Sequence, residues 1–119
     1  MLDYTLTVND QFLILHLISV SNGNDRTDTD NIIERIYEEM EKHSIYNLIL
    51  NFEHFNKKLH SELIGQLIIG PTVKARKNDG DVRLAQVDER IERMLSVTKL
   101  NQIIKCFATL KAAIKSYQT

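Results

Sequence analysis

The stretch from Asn47 to Gly65 constrains the fold most, because an apolar strand pattern passes through a polar segment into a helical pattern. Residues 48–50 form a short uninterrupted apolar run, which is typical of a strand covered on both faces. Residues 53–60 carry charged and titratable side chains, so we expect this segment to cross an exposed edge and to lie outside the core. Ser61 then precedes apolar residues at helical spacing, and its hydroxyl is predicted to cap a helix.

Two strands are predicted before this stretch. Apolar and polar side chains alternate over residues 3–8, and residues 11–20 hold a nearly continuous apolar run. Asn9-Asp10 is a turn signal between the two, so a hairpin is expected. His16 interrupts the second run, and as a solitary histidine it is interpreted as a core or edge side chain and not as a metal ligand.

A polar segment and an amphipathic helix link the hairpin to the central strand. Residues 21–30 contain no hydrophobic side chain and are interpreted as a solvated loop. Residues 31–42 carry their apolar side chains on one stripe, which predicts a helix capped by Asp30 or Asn31. A strand, a helix and a further strand in this order predict a right-handed crossover onto a parallel neighbour.

The second half of the chain repeats this alternation. Residues 61–77 predict a helix with a kink or break at Gly70-Pro71, because proline lacks the N–H group and disfavours helical angles before it. A strand over residues 81–87 follows. Asp88 is predicted to cap a helix that ends near Thr98.

The end of the chain predicts one more strand and one more helix. Residues 100–107 contain a short edge strand around Ile104, and Thr109 is expected to cap the last helix. The whole pattern predicts a single domain over residues 1–119. Its fold class is α/β, with a mixed sheet of about five strands, an N-terminal hairpin and three to four helices in the order ββαβαβαβα.

Composition and charge exclude some classes of function for this chain. The 119 residues carry a formal net charge of −1, which removes a general electrostatic argument for binding nucleic acid or an anionic membrane. Cys106 is the single cysteine, and the first residues resemble no signal segment, so a reduced cytoplasmic setting is expected. No apolar run approaches transmembrane length.

The sequence contains no P-loop, no nucleophile elbow and no zinc-ligand spacing, so an enzyme, a bound metal and a cofactor are not expected. His54 and His60 lie near Glu53 and Glu62, which leaves a metal site as an alternative there. Nothing in the spacing fixes the geometry of these four residues, and a solvated loop is the favoured interpretation.

Five segments together resemble the STAS domain family, named for sulphate transporters and anti-sigma factor antagonists. The family pattern has a strand ending Leu-Asp-Leu, a helix start Asp-Ser-Ser-Gly-Leu-Gly, a Gly-Arg-Leu strand, a helix ending Leu-Leu-x-x-Thr-Gly-Leu and a terminal Leu-Glu-Glu-Ala-Leu helix. The corresponding segments follow in the same order and cover most of the chain. They are Leu50-Asn51-Phe52, His60-Ser61-Glu62-Leu63-Ile64-Gly65, Gly80-Asp81-Val82-Arg83-Leu84, residues 94–100 and residues 107–114.

The resemblance implies a bacterial signal-transduction protein that regulates transcription by binding an anti-sigma serine kinase with an ATP-binding, histidine-kinase-like fold. In the family, that kinase phosphorylates a serine in the helix-start motif, which makes Ser61 the phosphoacceptor candidate. An ungapped alignment from Asn51 places the acceptor at His60 instead, where no hydroxyl is available. One inserted residue places it at Ser61 and aligns Gly65 with a family glycine. In both alignments the motif aspartate is absent, and Glu62 replaces a small neutral residue.

The partner face is expected on the segments that follow the carboxyl ends of the strands. Its predicted contact residues are Asn24, Asp25, Glu53, His54, Asn56, Lys57, Lys58, His60 and Glu62. Two other functions remain open: a STAS scaffold or transporter-associated subunit that is not phosphorylated, and a small-ligand binder or hydrolase that shares the fold.

Overall fold

A computed structural model describes residues 2–20, 25–53, 55 and 61–118, and at some element ends, Ser61 and Glu62 among them, it describes the backbone alone. The order of strands and helices is ββαβαβαβα, as the sequence predicted. The strands are β1 (Leu2–Val8), β2 (Leu13–Val20), β3 (Asn47–Asn51), β4 (Asp81–Ala85) and β5 (Lys105–Phe107). The helices are α1 (Asp25–His43), α2 (Ser61–Lys77), α3 (Glu89–Val97) and α4 (Leu110–Gln118), with a 3₁₀ turn at Leu100–Gln102.

The first two strands form the predicted antiparallel hairpin, with Thr5 opposite His16 and Val8 opposite Leu13. Asn9 builds the connection, because its side-chain oxygen accepts hydrogen bonds from the backbone N–H groups of Gln11 and Phe12 at 2.8 and 2.9 Å. A short amide side chain that bonds to the backbone two and three residues later is the reason asparagine favours turns.

The remaining strands pair in parallel, and the order across the sheet is β1-β2-β3-β4-β5. The sheet is therefore mixed, as predicted. Parallel strands direct their carboxyl ends to one edge of the sheet, so β3, β4 and β5 end side by side at Asn51, Ala85 and Phe107. This carboxyl edge is where the connections to the following helices begin.

Two apolar layers cover the two faces of the sheet. One face packs against α1, α2 and α3, and includes Leu15 and Leu50 from the strands and Ile36 and Leu67 from the helices, all without exposure to solvent. The other face packs against α4 through a smaller group centred on Ile49 and Ala113. Because β3 is covered on both sides, its apolar run is continuous, as the sequence suggested.

Helix α1 begins at Asp25 and not near Asn31, so the prediction of a solvated loop is wrong for residues 25–30. Thr29 is fully buried and extends the stripe of Ile32 and Ile36 by one turn towards the amino terminus. The acidic residues of this segment lie in the first turns of the helix, where the positive end of the helix dipole favours carboxylates.

A kink or a break was expected at Gly70-Pro71, and the break is absent because helix α2 is continuous there. The backbone at Gly70 lies close to α1, since a Cβ atom there would stand 2.9 Å from the Tyr37 hydroxyl oxygen. Thr72 is buried, and its hydroxyl donates to the Ile68 carbonyl at 2.7 Å. Packing of α2 against α1 and the sheet therefore outweighs the hydrogen bond that proline removes, which costs about 3 kcal/mol in an unsupported helix.

Two strands are shorter than the sequence suggested. β4 ends at Ala85, because Gln86 adopts a left-handed conformation with φ 59° and cannot continue a strand. β5 covers only Lys105–Phe107, and Ile104 lies just before it as a buried residue.

The capping predictions at Asp88 and Thr109 are confirmed. The Asp88 carboxylate accepts the Ile91 N–H at 2.9 Å, and the Thr109 hydroxyl oxygen accepts the Ala112 N–H at 3.0 Å. Helix α3 also ends at Val97 with Thr98 as its C-cap, as the sequence indicated.

Candidate functional site

The candidate site lies at the carboxyl edge, where β3 leads towards α2. Asn51 is the last residue of β3, and Ser61 is the first residue of α2. Glu53 is exposed just after the strand, and Asp25 opens α1, the helix that follows β2. Glu62 follows Ser61 in α2, so four of the predicted site residues have a described backbone position next to the end of a strand or at the start of a helix.

Asn51 connects two strands and the segment that follows them. Its side chain is 1% exposed, and its amide nitrogen lies 3.0 Å from Nδ1 of His16, its register partner on β2. Its side-chain oxygen accepts the backbone N–H of Glu53 at 3.3 Å. One side chain thus links β2, β3 and the first turn beyond β3.

The same geometry fixes the roles of the donor and the acceptor. The Glu53 N–H group can bond only to the oxygen of the Asn51 amide, so the Asn51 nitrogen faces His16. That nitrogen carries hydrogens, and Nδ1 of His16 must therefore accept. Neutral His16 carries its proton on Nε2 in this arrangement.

Aromatic side chains anchor the backbone beyond Asn51. Phe52 donates its N–H to the Ala85 carbonyl at 3.0 Å, and Phe55 donates its N–H to the Phe52 carbonyl at 3.0 Å. Their rings meet edge to face with centroids 5.7 Å apart, and both side chains are buried. Phe55 therefore corrects the prediction that residues 53–60 lie wholly outside the core: it belongs to the core, whereas Glu53 is exposed.

Gln86 occupies the same edge at the end of β4. Its N–H donates to the Phe107 carbonyl at 2.9 Å, and its side-chain oxygen is buried without a hydrogen-bond partner among the described residues. Sequence reasoning missed this residue because a left-handed glutamine has no distinctive local signal. A polar residue directly after an apolar pair or run, Asn51 after residues 48–50 and Gln86 after residues 84–85, is the signal that could have drawn attention to this edge.

Most of the predicted contact residues lie outside the part of the chain that the structure describes. Asn24, His54, Asn56, Lys57, Lys58 and His60 lie outside the described residues, and for Asp25, Ser61 and Glu62 the description covers the backbone alone. Within the described part, no group of three His, Cys, Asp or Glu side chains is arranged to hold a metal ion.

The opposite, amino-terminal edge of the sheet is closed by a structural cluster around Tyr117. Its hydroxyl lies 2.6 Å from the Asp81 carbonyl oxygen and 2.9 Å from that of Leu48, and burial raises the pKa of Tyr117. The Arg83 guanidinium stacks 4.1 Å from the Tyr117 ring centroid and donates to the Ser116 hydroxyl at 2.7 Å. These contacts hold α4 against the sheet, and Arg83 Nε lies 3.5 Å from the Asp81 carboxylate.

Comparison with known sequences assigns the family. The profile of the STAS domain matches residues 4–113. The chain therefore belongs to the STAS domain family, as the resemblance in the sequence indicated. No curated protein sequence matches the chain.

Solved structures share the fold at low sequence identity. The Thermotoga maritima protein TM1081 has a TM-score of 0.78 at 21% identity, over 99% of this chain and 89% of that one. The unphosphorylated anti-sigma factor antagonist SpoIIAA of Bacillus has a TM-score of 0.79 at 17% identity, over 98% and 96% of the two chains. A chain of the stressosome, a signal integration and transduction hub, has a TM-score of 0.65 at 11% identity, over 96% of each chain.

No helix in the described part of the chain is both long and apolar enough to span a membrane.

Proposed function

We propose that this chain is a cytoplasmic regulatory binding module of the anti-sigma factor antagonist type, with an anti-sigma serine kinase as its partner. The observation that carries the proposal is the match to the STAS domain over residues 4–113. The start of α2 at Ser61 supports it, because the family's phosphoacceptor serine lies at the corresponding helix start. The similar fold of SpoIIAA, which is known in unphosphorylated and phosphorylated forms, agrees with this function.

The proposed partner face surrounds the start of α2 at the carboxyl edge. Glu53 belongs to this face, and the structure describes its side chain as exposed. Asn51 holds the backbone of Glu53 in place by accepting its N–H group. The face has the contact set predicted from the sequence: Asn24, Asp25, Glu53, His54, Asn56, Lys57, Lys58, His60 and Glu62. Lys57 and Lys58 supply positive charge, so we expect reversal of both charges to weaken binding of the partner while the fold is retained.

Phosphorylation of Ser61 would control this face through charge. A phosphate adds about −1.5 to −2 charges and three acceptor oxygens. The first residue of a helix tolerates such a group within the domain, because free backbone N–H groups and the helix dipole favour negative charge there. A partner pressed against the same position would have to desolvate the phosphate, so the complex dissociates while the domain stays folded.

The alternative within the family is a scaffold or transporter-associated subunit that is not phosphorylated. His60 and Glu62 flank Ser61 where the family motif has aspartate and a small residue, and Asn51 replaces the strand aspartate. The similar fold of a stressosome chain is the observation that favours a scaffold. A small-ligand binder on the same fold would instead require a ligand seated at the carboxyl edge.

Two measurements test the proposal. The full chain is used as bait in extracts of its own cells, and the captured proteins are identified by mass spectrometry. Recovery of an ATPase with a histidine-kinase-like fold supports the kinase partner, whereas recovery of a larger assembly or transporter subunit supports the scaffold. The purified kinase and ATP are then added to the chain, and we expect a single phosphate on Ser61.

Three variants separate regulation from stability. Ser61→Asp should release the kinase, and Ser61→Ala should bind it constitutively in the presence of ATP. Ser96→Asp adds the same charge at an exposed position on α3 and is the matched control, because Ser96 lies outside the proposed face. Phosphate found only on another residue, or equal binding by Ser61→Asp and the unmodified chain, contradicts the proposed switch.

A further inference from the structure

An apolar groove lies along the outer face of α2, away from the proposed partner face. We call it the α2 groove, and it has a volume of about 280 Å³. Ile69 and Val73 form one wall, and Ile103 forms the other, with exposed fractions of 48%, 50% and 52%. Leu100 and the buried Ile104 also line it. Three half-exposed aliphatic side chains thus surround one depression, which offers a concave apolar surface to the side chains of a partner.

Arg76 fixes the width of the α2 groove at one end. Its guanidinium donates to the Ile103 carbonyl at 2.6 Å and pairs with the Asp81 carboxylate at 3.2 Å. The side chain therefore ties α2 to the segment that carries Ile103. Because this hydrogen bond connects the two walls, the fold itself holds the groove in place.

Most charges around the α2 groove are positive, and the acidic groups Glu41 and Asp81 are each paired with a basic residue of α2. Residues 63–77 and 98–107, which form its two walls, contain no Asp or Glu, although the whole chain has 16 acidic residues. Basic residues in the same segments are Lys74, Arg76, Lys77, Lys99 and Lys105. Lys74 is paired with Glu41 and Arg76 with Asp81, but Lys77, Lys99 and Lys105 are exposed and form no ion pair within the described residues. A binding partner that carries carboxylates beside apolar side chains would complement the apolar groove and these lysines.

The backbone of the walls favours a helical occupant over an extended one. The Ile103 carbonyl is taken by Arg76, and the Leu100 carbonyl accepts the N–H groups of Ile103 and Ile104. The α2 wall is a helix whose backbone groups bond within it, apart from the one hydrogen bond that Pro71 cannot donate. A strand would find few free backbone partners here, whereas an amphipathic helix satisfies its own backbone and contributes only side chains.

Two other occupants fit less well. A bilayer is contacted by protruding apolar side chains, and the α2 groove is concave with Ile104 recessed at its floor. A second copy of this chain would have to offer an acidic helix with a free apolar stripe. Helix α1 is acidic, but its apolar residues Ile32, Ile36 and Met40 are at most 1% exposed beneath it.

We infer that the α2 groove binds an acidic amphipathic helix of a partner protein, and that this surface is separate from the face at Ser61. The inference does not depend on phosphorylation or on an anti-sigma partner. It follows from the apolar walls, the connection through Arg76 and the three exposed lysines beside the walls, which form no ion pair within the described residues.

The test uses two synthetic, end-blocked peptides of about 15 residues, a length at which helices become measurable in water. Both have leucine on one stripe, and the other positions carry glutamate in one peptide and lysine in the other. Each is titrated into the isotope-labelled full chain, and methyl resonances are followed by NMR. We expect the glutamate peptide to shift the methyl signals of Ile69, Val73 and Ile103 with an affinity that falls as salt is raised. The lysine peptide should leave these signals unchanged.

Variants at exposed positions give the controls. Ile103→Asp should abolish binding of the glutamate peptide, and Lys99→Glu combined with Lys105→Glu should weaken it by about tenfold. Val97→Asp is the matched control, because Val97 is 78% exposed on α3 and does not line the α2 groove. Each variant's methyl spectrum shows whether the fold is retained.

Several results would overturn the inference. Equal shifts with both peptides, shifts confined to other residues, or no shift at about 1 mM glutamate peptide would each do so. Binding of phosphatidylglycerol vesicles at Ile69 and Ile103, with no response to the peptide, would assign the surface to a membrane instead.

Discussion

Removal of the Asn51 side chain tests the link between the strands and the candidate site. Asn51→Ala leaves Nδ1 of His16 without its donor and the Glu53 N–H without its acceptor. An unsatisfied buried group costs about 1–3 kcal/mol, and both bonds are only partly buried, so the lower end applies to each. We therefore expect a loss of about 2 kcal/mol, a factor of about 30 in the folding equilibrium constant.

A double-mutant cycle isolates the bond between Asn51 and His16. His16→Ala leaves the fully buried Asn51 nitrogen unsatisfied, and the double variant removes both partners together. Urea unfolding followed by circular dichroism gives the four free energies, and we expect a coupling of about 1 kcal/mol. Asn101→Ala is the control at an exposed position and should change stability by less than about 0.5 kcal/mol.

Hydrogen exchange and NMR give two further measurements on the same variants. The Glu53 amide should exchange faster in Asn51→Ala, because its acceptor is gone. In the unmodified chain, the nitrogen spectrum of neutral His16 should show the proton on Nε2. Strictly additive single variants, or a neutral His16 with the proton on Nδ1, would refute the hydrogen-bond assignment.

Three further predictions concern the scaffold. Gly80→Ala should lower the free energy of unfolding by at least about 1–3 kcal/mol, because the new methyl group would clash with the Tyr46 carbonyl. In Gly65→Ala the methyl group meets no atom within 4 Å, so the free energy of unfolding should rise by about 0.5–1 kcal/mol. Urea unfolding of both variants checks these opposite signs. Asp88→Ala should cost about 1 kcal/mol through the lost helix cap, and unchanged unfolding would count against that role. Burial raises the pKa of Tyr117, so the phenol ionises more readily in the unfolded chain. Stability should therefore fall as pH rises above about 10. Tyr117→Phe should make this fall shallower, and parallel pH profiles of the two proteins would contradict the prediction.

Local patterns predicted the fold class because most helices and strands can be recognised from a single stretch of sequence. The alternation before Asn9 and the apolar run after it predict a hairpin, and the covered strand at residues 48–50 predicts helices on both faces. Asp88 and Thr109 could be identified as caps from the residues that follow them. Each of these features depends on neighbours within a few positions.

The errors arise where tertiary contacts outweigh local preference. The sequence predicts a loop at the start of α1 because residues 21–30 contain no hydrophobic side chain, yet the buried Thr29 continues the apolar stripe. Pro71 suggests a break, but α2 is held against α1 where Gly70 allows close approach to Tyr37. Phe55 lies in a polar segment and still reaches the core beside Phe52.

The candidate site was only partly predictable for the same reason. The sequence shows a polar residue at the end of β3 and a histidine within β2, but their pairing depends on the parallel register that places His16 opposite Asn51. Gln86 comes to this edge through the pairing of β4 with β5. The assignment of Ser61 comes from the family motif, and the strand pattern alone marks only the start of a helix there.

Helix α2 connects the two surfaces proposed for this protein. Ser61 is its first residue, and Ile69 and Val73 follow eight and twelve positions later, which corresponds to about 12–18 Å along the axis. A phosphate at Ser61 would act on a partner at the carboxyl edge, but its charge is largely screened beyond about 8–10 Å in physiological salt. Because the α2 groove lies farther away than this, binding there should persist in Ser61→Asp. The glutamate peptide should therefore bind Ser61→Asp and the unmodified chain with equal affinity, and a difference of more than about threefold in an NMR titration would mean that the two surfaces are coupled.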